Sequence, residues 1–234
     1  MKSKVFKACY YILLIFLLLP VATVFAQSAG QGTYTVLIDA AHGGTDPGVS
    51  IDRKSSEKDI TLAVALSLKK YLEAGGKGIK VQLTRTSDKI LSVSDRIKMA
   101  KTLNPDLMVS LHVNAGFGPE ASGFEVSFPG FQGTNSSGLE TQAIVKDMTK
   151  TKYLNDSVRL AQMIQRSLEA VFTRKGRGLR EVPVPILSGL PIPSVAVEFA
   201  FATNKENRDK ILGKDGQQEI ARSLNRGIRD YLNL

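Results

Sequence analysis

From Tyr34 onward, short apolar runs alternate with longer stretches in which apolar residues recur every three or four positions. Tyr34–Asp39 reads as a strand. Beyond it, Ile60, Val64, Leu68 and Tyr71, with Ala63 and Leu72 beside them, fall at helical period. Ser56 is the predicted N-cap of that helix, with Asp59 three residues on, and Gly75-Gly76 ends it. Ile79–Thr84 is a predicted strand. A helix opening at Ser92 or Ser94 runs to about Leu103 and is closed by Pro105. Leu107–His112 and Gly123–Phe128 are further strands. Residues 129–156 lose periodicity and are rich in Gly, Ser, Thr and Asn, with a weak helical patch at Ile144–Met148. A loop of this length in a compact domain is functional or disordered. Val158, Ala161, Ile164, Leu168 and Phe172 mark another helix. Val184–Leu187 and Ser194–Phe199 read as strands joined by the turn Gly189–Pro193, a hairpin or edge element. The last helix carries Ile220, Leu224, Ile228 and Tyr231. This alternation predicts one α/β domain over residues 34–234. Its sheet is mixed, mostly parallel, twisted and of about six strands, with helices on both faces.

Residues 1–26 stand outside that pattern. Lys2, Lys4 and Lys7 precede the apolar run Tyr10–Leu19, and Val24-Phe25-Ala26 offers a small-residue cleavage site. The run is shorter than the roughly 20 residues of a membrane span. The segment is therefore expected to be a signal peptide or an N-terminal anchor, with 27–33 a flexible lead-in. The expected location is outside the cytoplasm, in the periplasm or cell envelope. Cys9, the only cysteine, lies inside this segment. Its removal leaves no thiol, which excludes a disulfide scaffold and a cysteine nucleophile. The net charge is +9; taking three lysines from 31 basic residues leaves 28 against 22 acids, or +6. That surplus suits an anionic partner such as cell wall or membrane surface, or serves solubility alone. Nucleic acid is a poor match, because no dense Lys/Arg stripe carries interleaved aromatics. Membrane contact is expected only through an uncleaved N-terminal segment.

The chain has two histidines. His42 follows the first strand, before Gly43-Gly44, and His112 ends the Leu107–His112 run. Both fall at carboxyl ends of predicted strands, where ligands gather in open α/β sheets. Two imidazoles and a carboxylate make a catalytic zinc set with one open position. Glu57 in the first turn of its helix is the leading third ligand; an acid there also stabilises the helix N-terminus. Asp39, Asp46 and Asp59 are the alternatives, and Asp39 could instead orient an imidazole. Asn114 could hold a substrate carbonyl or cap a turn. Glu198 is a charge inside the apolar run Val195–Phe199, so it must be paired, metal-linked or catalytic; Arg180 is one potential ion-pair partner. No Gly-x-Ser-x-Gly elbow and no phosphate-binding loop with Lys-Ser/Thr is present.

Seven segments in order resemble the zinc-dependent N-acetylmuramoyl-L-alanine amidases of bacterial cell walls. They are Ile38–Gly48, Ser56–Asp59, Leu83–Asp88, Asp95–Ala100, Ser110–Ala115, Arg177–Leu179 and Pro193–Glu198, followed by a final helix preceded by Asn204 and Glu206. The likeness covers about residues 34–232. It implies that His42, Glu57 and His112 bind one zinc ion per chain and that Glu198 is the catalytic acid/base. It also implies cleavage of the amide between the lactyl group of N-acetylmuramic acid and L-alanine of the stem peptide. Peptidoglycan is then the substrate and partner, the chain is a monomer, and there is room for a protein activator. Two alternatives stay open: a zinc hydrolase for another amide bond of the wall, and an inactive peptidoglycan-binding domain. The family carries Pro-Gly where Ala40-Ala41 stands here, so a backbone needing positive φ at Ala41 would be strained. Some relatives carry an occluding helix in the region of 129–156; the short segment here implies no strong self-inhibition, with Ile144–Met148 left as a partial cover of the groove.

Overall fold

A computed structural model describes residues 33–76, 78–130, 141–172 and 176–234; over 141–147 it describes the helical backbone alone. The expected signal segment 1–26 and nearly all of the lead-in lie outside the described residues. Six strands form one sheet: β1 (Tyr34–Ala40), β2 (Ile79–Leu83), β3 (Leu107–Asn114), β4 (Glu125–Phe128), β5 (Gly178–Glu181) and β6 (Ser194–Phe201). Their spatial order is β2-β1-β3-β6-β4-β5. β2, β1, β3 and β6 run parallel, and β4 pairs antiparallel with β6 while β5 is parallel to β4. The mixed, mostly parallel sheet of the sequence reading is therefore present.

Among the described residues five helices connect and cover the strands: α1 (Glu57–Ala74), α2 (Val93–Leu103), α3 (Thr141–Leu168), α4 (Lys205–Leu212) and α5 (Lys214–Leu232). Strand alternation divides the core. Val36 and Ile38 of β1, with Leu107, Val109 and Leu111 of β3 and Val195 and Val197 of β6, face α1, α3 and α5. Leu37, Met108 and Ala196 face the opposite way, toward Ala100 of α2 and the turn at Ile186-Leu187. Both faces are thus covered, and each parallel strand reads as an almost continuous apolar run.

Helix boundaries follow local chemistry. Ser56 caps α1, its N–H donating to Asp59 Oδ2 at 2.9 Å. Ser92 caps α2, its Oγ accepting from the Asp95 N–H at 3.1 Å. Asn104 ends α2 in the left-handed conformation.

Two expectations are corrected. Val184–Leu187 is not a strand: Pro185–Leu187 is a single 3-10 turn, and β6 lies in the middle of the sheet between β3 and β4. Pro183 and Pro185 lack the N–H groups a ladder needs, and Pro185 fits the first position of a tight turn. The edge strand at that end of the sheet is instead β5. Second, the aperiodic stretch is shorter than 129–156, because α3 starts at Thr141. Within α3 Lys152 Nζ pairs with Asp156 at 3.0 Å, an i,i+4 contact of the helical kind. Residues 131–140 lie outside the described residues.

Candidate metal centre

The strand order places β3 between β1 and β6, so neighbouring strands deliver the polar residues at one end of the sheet. β1 ends at Ala40, and the chain turns sharply at His42, whose φ is 60°. Ala41 is not in the positive-φ region. The expected strain at the Ala40-Ala41 departure therefore does not fall there; it falls on His42 itself. Two buried arginines hold this turn from beneath. Arg85 donates from Nε to the Ala40 carbonyl at 2.9 Å and from Nη2 to the Ala41 carbonyl at 3.0 Å. Arg96 donates from Nη1 to the Ala40 carbonyl and from Nη2 to the His42 carbonyl, both at 2.7 Å. Charge-assisted bonds of this kind offset a backbone conformation that costs about 1–3 kcal/mol.

One donor atom from each of His42, Glu57 and His112 lies within 4.8 Å of the other two. Glu57 is 2% exposed, and its carboxylate is fixed by the main chain. Oε1 accepts from the Val113 N–H and Oε2 from the Val49 N–H, both at 3.0 Å. The same oxygens meet His112 Nδ1 and His42 Nε2, each at 3.2 Å. The imidazoles stand edge to face with centroids 5.7 Å apart.

The remaining ring nitrogens are engaged outward, which assigns the tautomers. His42 Nδ1 lies 2.8 Å from Asp46 Oδ2, a carboxylate that can only accept, so in the neutral ring that would ligate a cation Nδ1 keeps its proton and Nε2 offers its lone pair; with no cation present Nε2 also holds a proton and donates it to Glu57. Ser110 Oγ donates to Asp39 Oδ2 at 2.7 Å, and with its one proton so used it accepts from His112 Nε2 at 3.1 Å. In the same ligating form His112 Nδ1 offers its lone pair. Asp39 is fully buried and saturated: its Oδ1 also accepts from Thr84 Oγ1 at 2.7 Å and from Arg96 Nη1. Oriented imidazoles of this kind, backed by carboxylates, are the usual support of a metal site. Two imidazole nitrogens, one anionic oxygen and fixed tautomers fit zinc or a similar divalent cation.

Titration reflects the same contacts. The hydrogen bond that His42 donates to Glu57 raises the His42 pKa to about 9, against the opposing effect of burial, with Asp46 adding to it. Burial pushes Glu57 up, but hydrogen bonds from His112 and His42 outweigh it and leave the carboxyl at about 2. Anionic Glu57 thus draws positive charge into the place a cation would take.

Glu198 stands beside this group. In the β3–β6 register it is opposite His112, and in the β6–β4 register opposite Glu125. Its Oε2 is buried with no hydrogen-bond partner. Burial raises its pKa to about 7, with Glu125 and Glu57 contributing and His112 opposing. Arg180 does not pair with Glu198; its Nε lies 3.5 Å from Glu125 Oε1, and Arg177 Nη1 lies 3.7 Å from Glu125 Oε2. Asn114 ends β3 two residues past His112, where its carbonyl accepts from the Ala202 N–H at 2.8 Å. Asn114 and Arg180 are not members of the His-Glu-His group.

Pattern reading does not single out Glu125, Ser110, Arg85 or Arg96. Glu125 carries the same signal as Glu198, an acid between buried Phe124 and Val126. The arginines carry no local signal, because their targets are carbonyls more than forty residues away.

Fold and donor set together define an α/β domain with one His-Glu-His group, among the described residues, that could hold a divalent cation. The family profile of N-acetylmuramoyl-L-alanine amidases matches residues 36–230. The chain is 32% identical over 198 residues to the uncharacterized protein YqiI of Bacillus subtilis (strain 168), covering 84% of each. It is 26% identical over 232 residues to the N-acetylmuramoyl-L-alanine amidase AmiA of Escherichia coli (strain K12), covering 89% of this chain and 79% of that one. Among solved structures, an N-acetylmuramoyl-L-alanine amidase from Clostridium difficile 630 superposes with a TM-score of 0.71 at 29% identity, over 86% of this chain and 97% of that one. The CwlD amidase from Clostridioides difficile, solved in complex with the GerS lipoprotein, gives 0.70 at 27% identity, over 86% and 99%. The chain belongs to the N-acetylmuramoyl-L-alanine amidase family.

Proposed function

We propose that this protein is a zinc-dependent amidase that hydrolyses the bond between the lactyl group of N-acetylmuramic acid and the L-alanine of the peptidoglycan stem. The observation that carries the reading is the convergence of two tautomer-fixed imidazoles and a buried carboxylate beside Glu198, whose oxygen is buried and unpartnered. His42, Glu57 and His112 would hold the ion. A zinc ion there supplies Lewis-acid chemistry, polarising the amide carbonyl and acidifying water. Glu198 takes a proton from the attacking water and returns it to the departing alanine nitrogen. A carboxyl poised near neutral pH suits both halves of that task. Asp46 and the Ser110–Asp39 pair keep the imidazoles turned inward throughout.

Residues 1–26 would carry the chain out of the cytoplasm. Among the described residues no helix is long and apolar enough to cross a membrane. A protein partner is in keeping with the CwlD–GerS complex, and the chain would act as a monomer.

Incubation of zinc-loaded protein with purified peptidoglycan tests the reading. Peptides with a free L-alanine amino end are expected. Glu198→Gln should retain zinc and fold while losing about 100- to 10,000-fold of turnover. Release of acetate or of a different amino terminus would mean another amide bond. Binding without any product would mean a wall-binding domain. Near-native turnover by the Glu198→Gln variant would remove Glu198 from its role.

A further inference from the structure

One row of residues runs across four strands at the level of the metal group. In register, His112 of β3 stands beside Glu198 of β6, then Glu125 of β4, then Gly178 of β5. Residues in register share a face of the sheet, so this row forms a floor of charge leading away from His112. At its far end Arg177 and Arg180 flank Gly178 and turn their guanidinium groups back toward Glu125. Both arginine side chains remain open to solvent, 42% and 44% exposed, whereas the Glu125 side chain is 9% exposed. The contacts are loose, at 3.7 and 3.5 Å, and Glu125 Oε2 has no hydrogen bond. Glu125 therefore anchors two cations without saturating either. Five donors per guanidinium leave most of the fork available to a second carboxylate.

We propose that Arg177 and Arg180 receive a carboxylate of the stem peptide about two residues beyond the scissile amide, namely the free α-carboxyl of the γ-linked D-glutamyl residue. The assignment rests on the amidase reading above. Distance supports it. Neighbouring strands are about 4.8 Å apart, so β4, over which the guanidinium groups lie, is about 10 Å from β3. Two extended residues span about 7 Å, and a side carboxyl adds a bond or two. A peptide whose scissile carbonyl sits at the His-Glu-His group can lie across Glu198 and place that carboxylate against the arginines. A neutral amide at the same position cannot form the charge-assisted fork–fork pair.

The test uses the zinc-loaded full chain and muramyl tripeptides that differ only in whether the D-glutamyl α-carboxyl is free or amidated. The free acid should show a KM about tenfold lower, with kcat changed little. In the double variant R177Q/R180Q that KM ratio should fall to about one. Each single variant, R177Q or R180Q, leaves one arginine on Glu125 and should lower the ratio part-way; these serve if the double variant does not fold. Equal KM values in the native protein would overturn the proposal and leave the amidase reading intact. A preference that follows amidation of the peptide's terminal carboxyl instead would also overturn it. Failure to cleave either tripeptide would overturn the amidase reading and this proposal with it.

Discussion

Gly48→Ala tests how tightly the metal group is held. Gly48 has φ of 64°, a region that costs an alanine about 1–2 kcal/mol. Space is the second cost. A Cβ added there would lie 2.6 Å from Glu57 Oε2, 2.6 Å from His42 Cδ2 and 2.8 Å from His42 Cγ, where ordinary contact begins near 3.4 Å. Neither neighbour retreats freely. Glu57 Oε2 is tied to the Val49 N–H, and His42 is tied to Asp46. Breaking one hydrogen bond to a charged acceptor costs about 1.5–3 kcal/mol. The total is about 2.5–5 kcal/mol, and the shift takes a donor atom away from the other two. Zinc affinity should fall at least about 100-fold, the upper end of what disturbing the support of a ligand costs. Gly76→Ala supplies the control: φ is 66° and no atom lies within 4 Å of the added Cβ. It should cost only the conformational term of about 1–2 kcal/mol and leave zinc binding unchanged. Denaturant unfolding of the metal-free proteins and competitive zinc titration read the two quantities. If Gly48→Ala destabilises no more than Gly76→Ala, or binds zinc with native affinity, the crowding argument is wrong.

Ser110→Ala removes the hydroxyl between Asp39 and His112 Nε2, so the imidazole loses the partner that fixes its tautomer. Zinc affinity should drop about 10- to 100-fold with the fold retained, read by chelator competition; unchanged affinity would show the hydroxyl to be idle. In the metal-free protein, Glu198 at about 7 and His42 at about 9 are both raised, so the stability each contributes is complete below its unfolded value and lost as pH rises through the folded one. Glu57 at about 2 is lowered, so its contribution is present above its unfolded value and lost only in strong acid. Metal-free stability should therefore peak near pH 5 and decline toward about pH 9. Glu198→Gln should remove the part of the decline between about pH 4.5 and 7, up to about 3 kcal/mol, measured as unfolding free energy at about pH 5 and pH 8. An equal effect of the substitution at both values would contradict the buried-carboxyl account.

Much of the site is legible in the sequence because residue type and strand position coincide. His42 and His112 are scarce residues at strand ends, Glu57 opens a helix aimed at them, and Glu198 interrupts an apolar strand. Ser56 and Ser92 mark helix starts through chemistry confined to a few residues. What pattern reading cannot supply is pairing over distance. Arg96 reaches carbonyls some fifty residues earlier, and Arg180 meets Glu125 only because β5 lies next to β4. The run Val184–Leu187 is apolar because Ile186 and Leu187 are buried under α2, not because it is a strand. The start of α3 at Thr141 shows the converse: its apolar residues before Val158 are too widely mixed with Lys, Thr and Asp for more than the patch at Ile144–Met148 to be read as helix.

Arg85, just past β2, and Arg96, in α2, bind the carbonyls around His42 through buried guanidinium groups. The bend that presents the first imidazole is therefore fastened by side chains far away in the chain. Loss of either guanidinium would be felt at a ring that neither one touches.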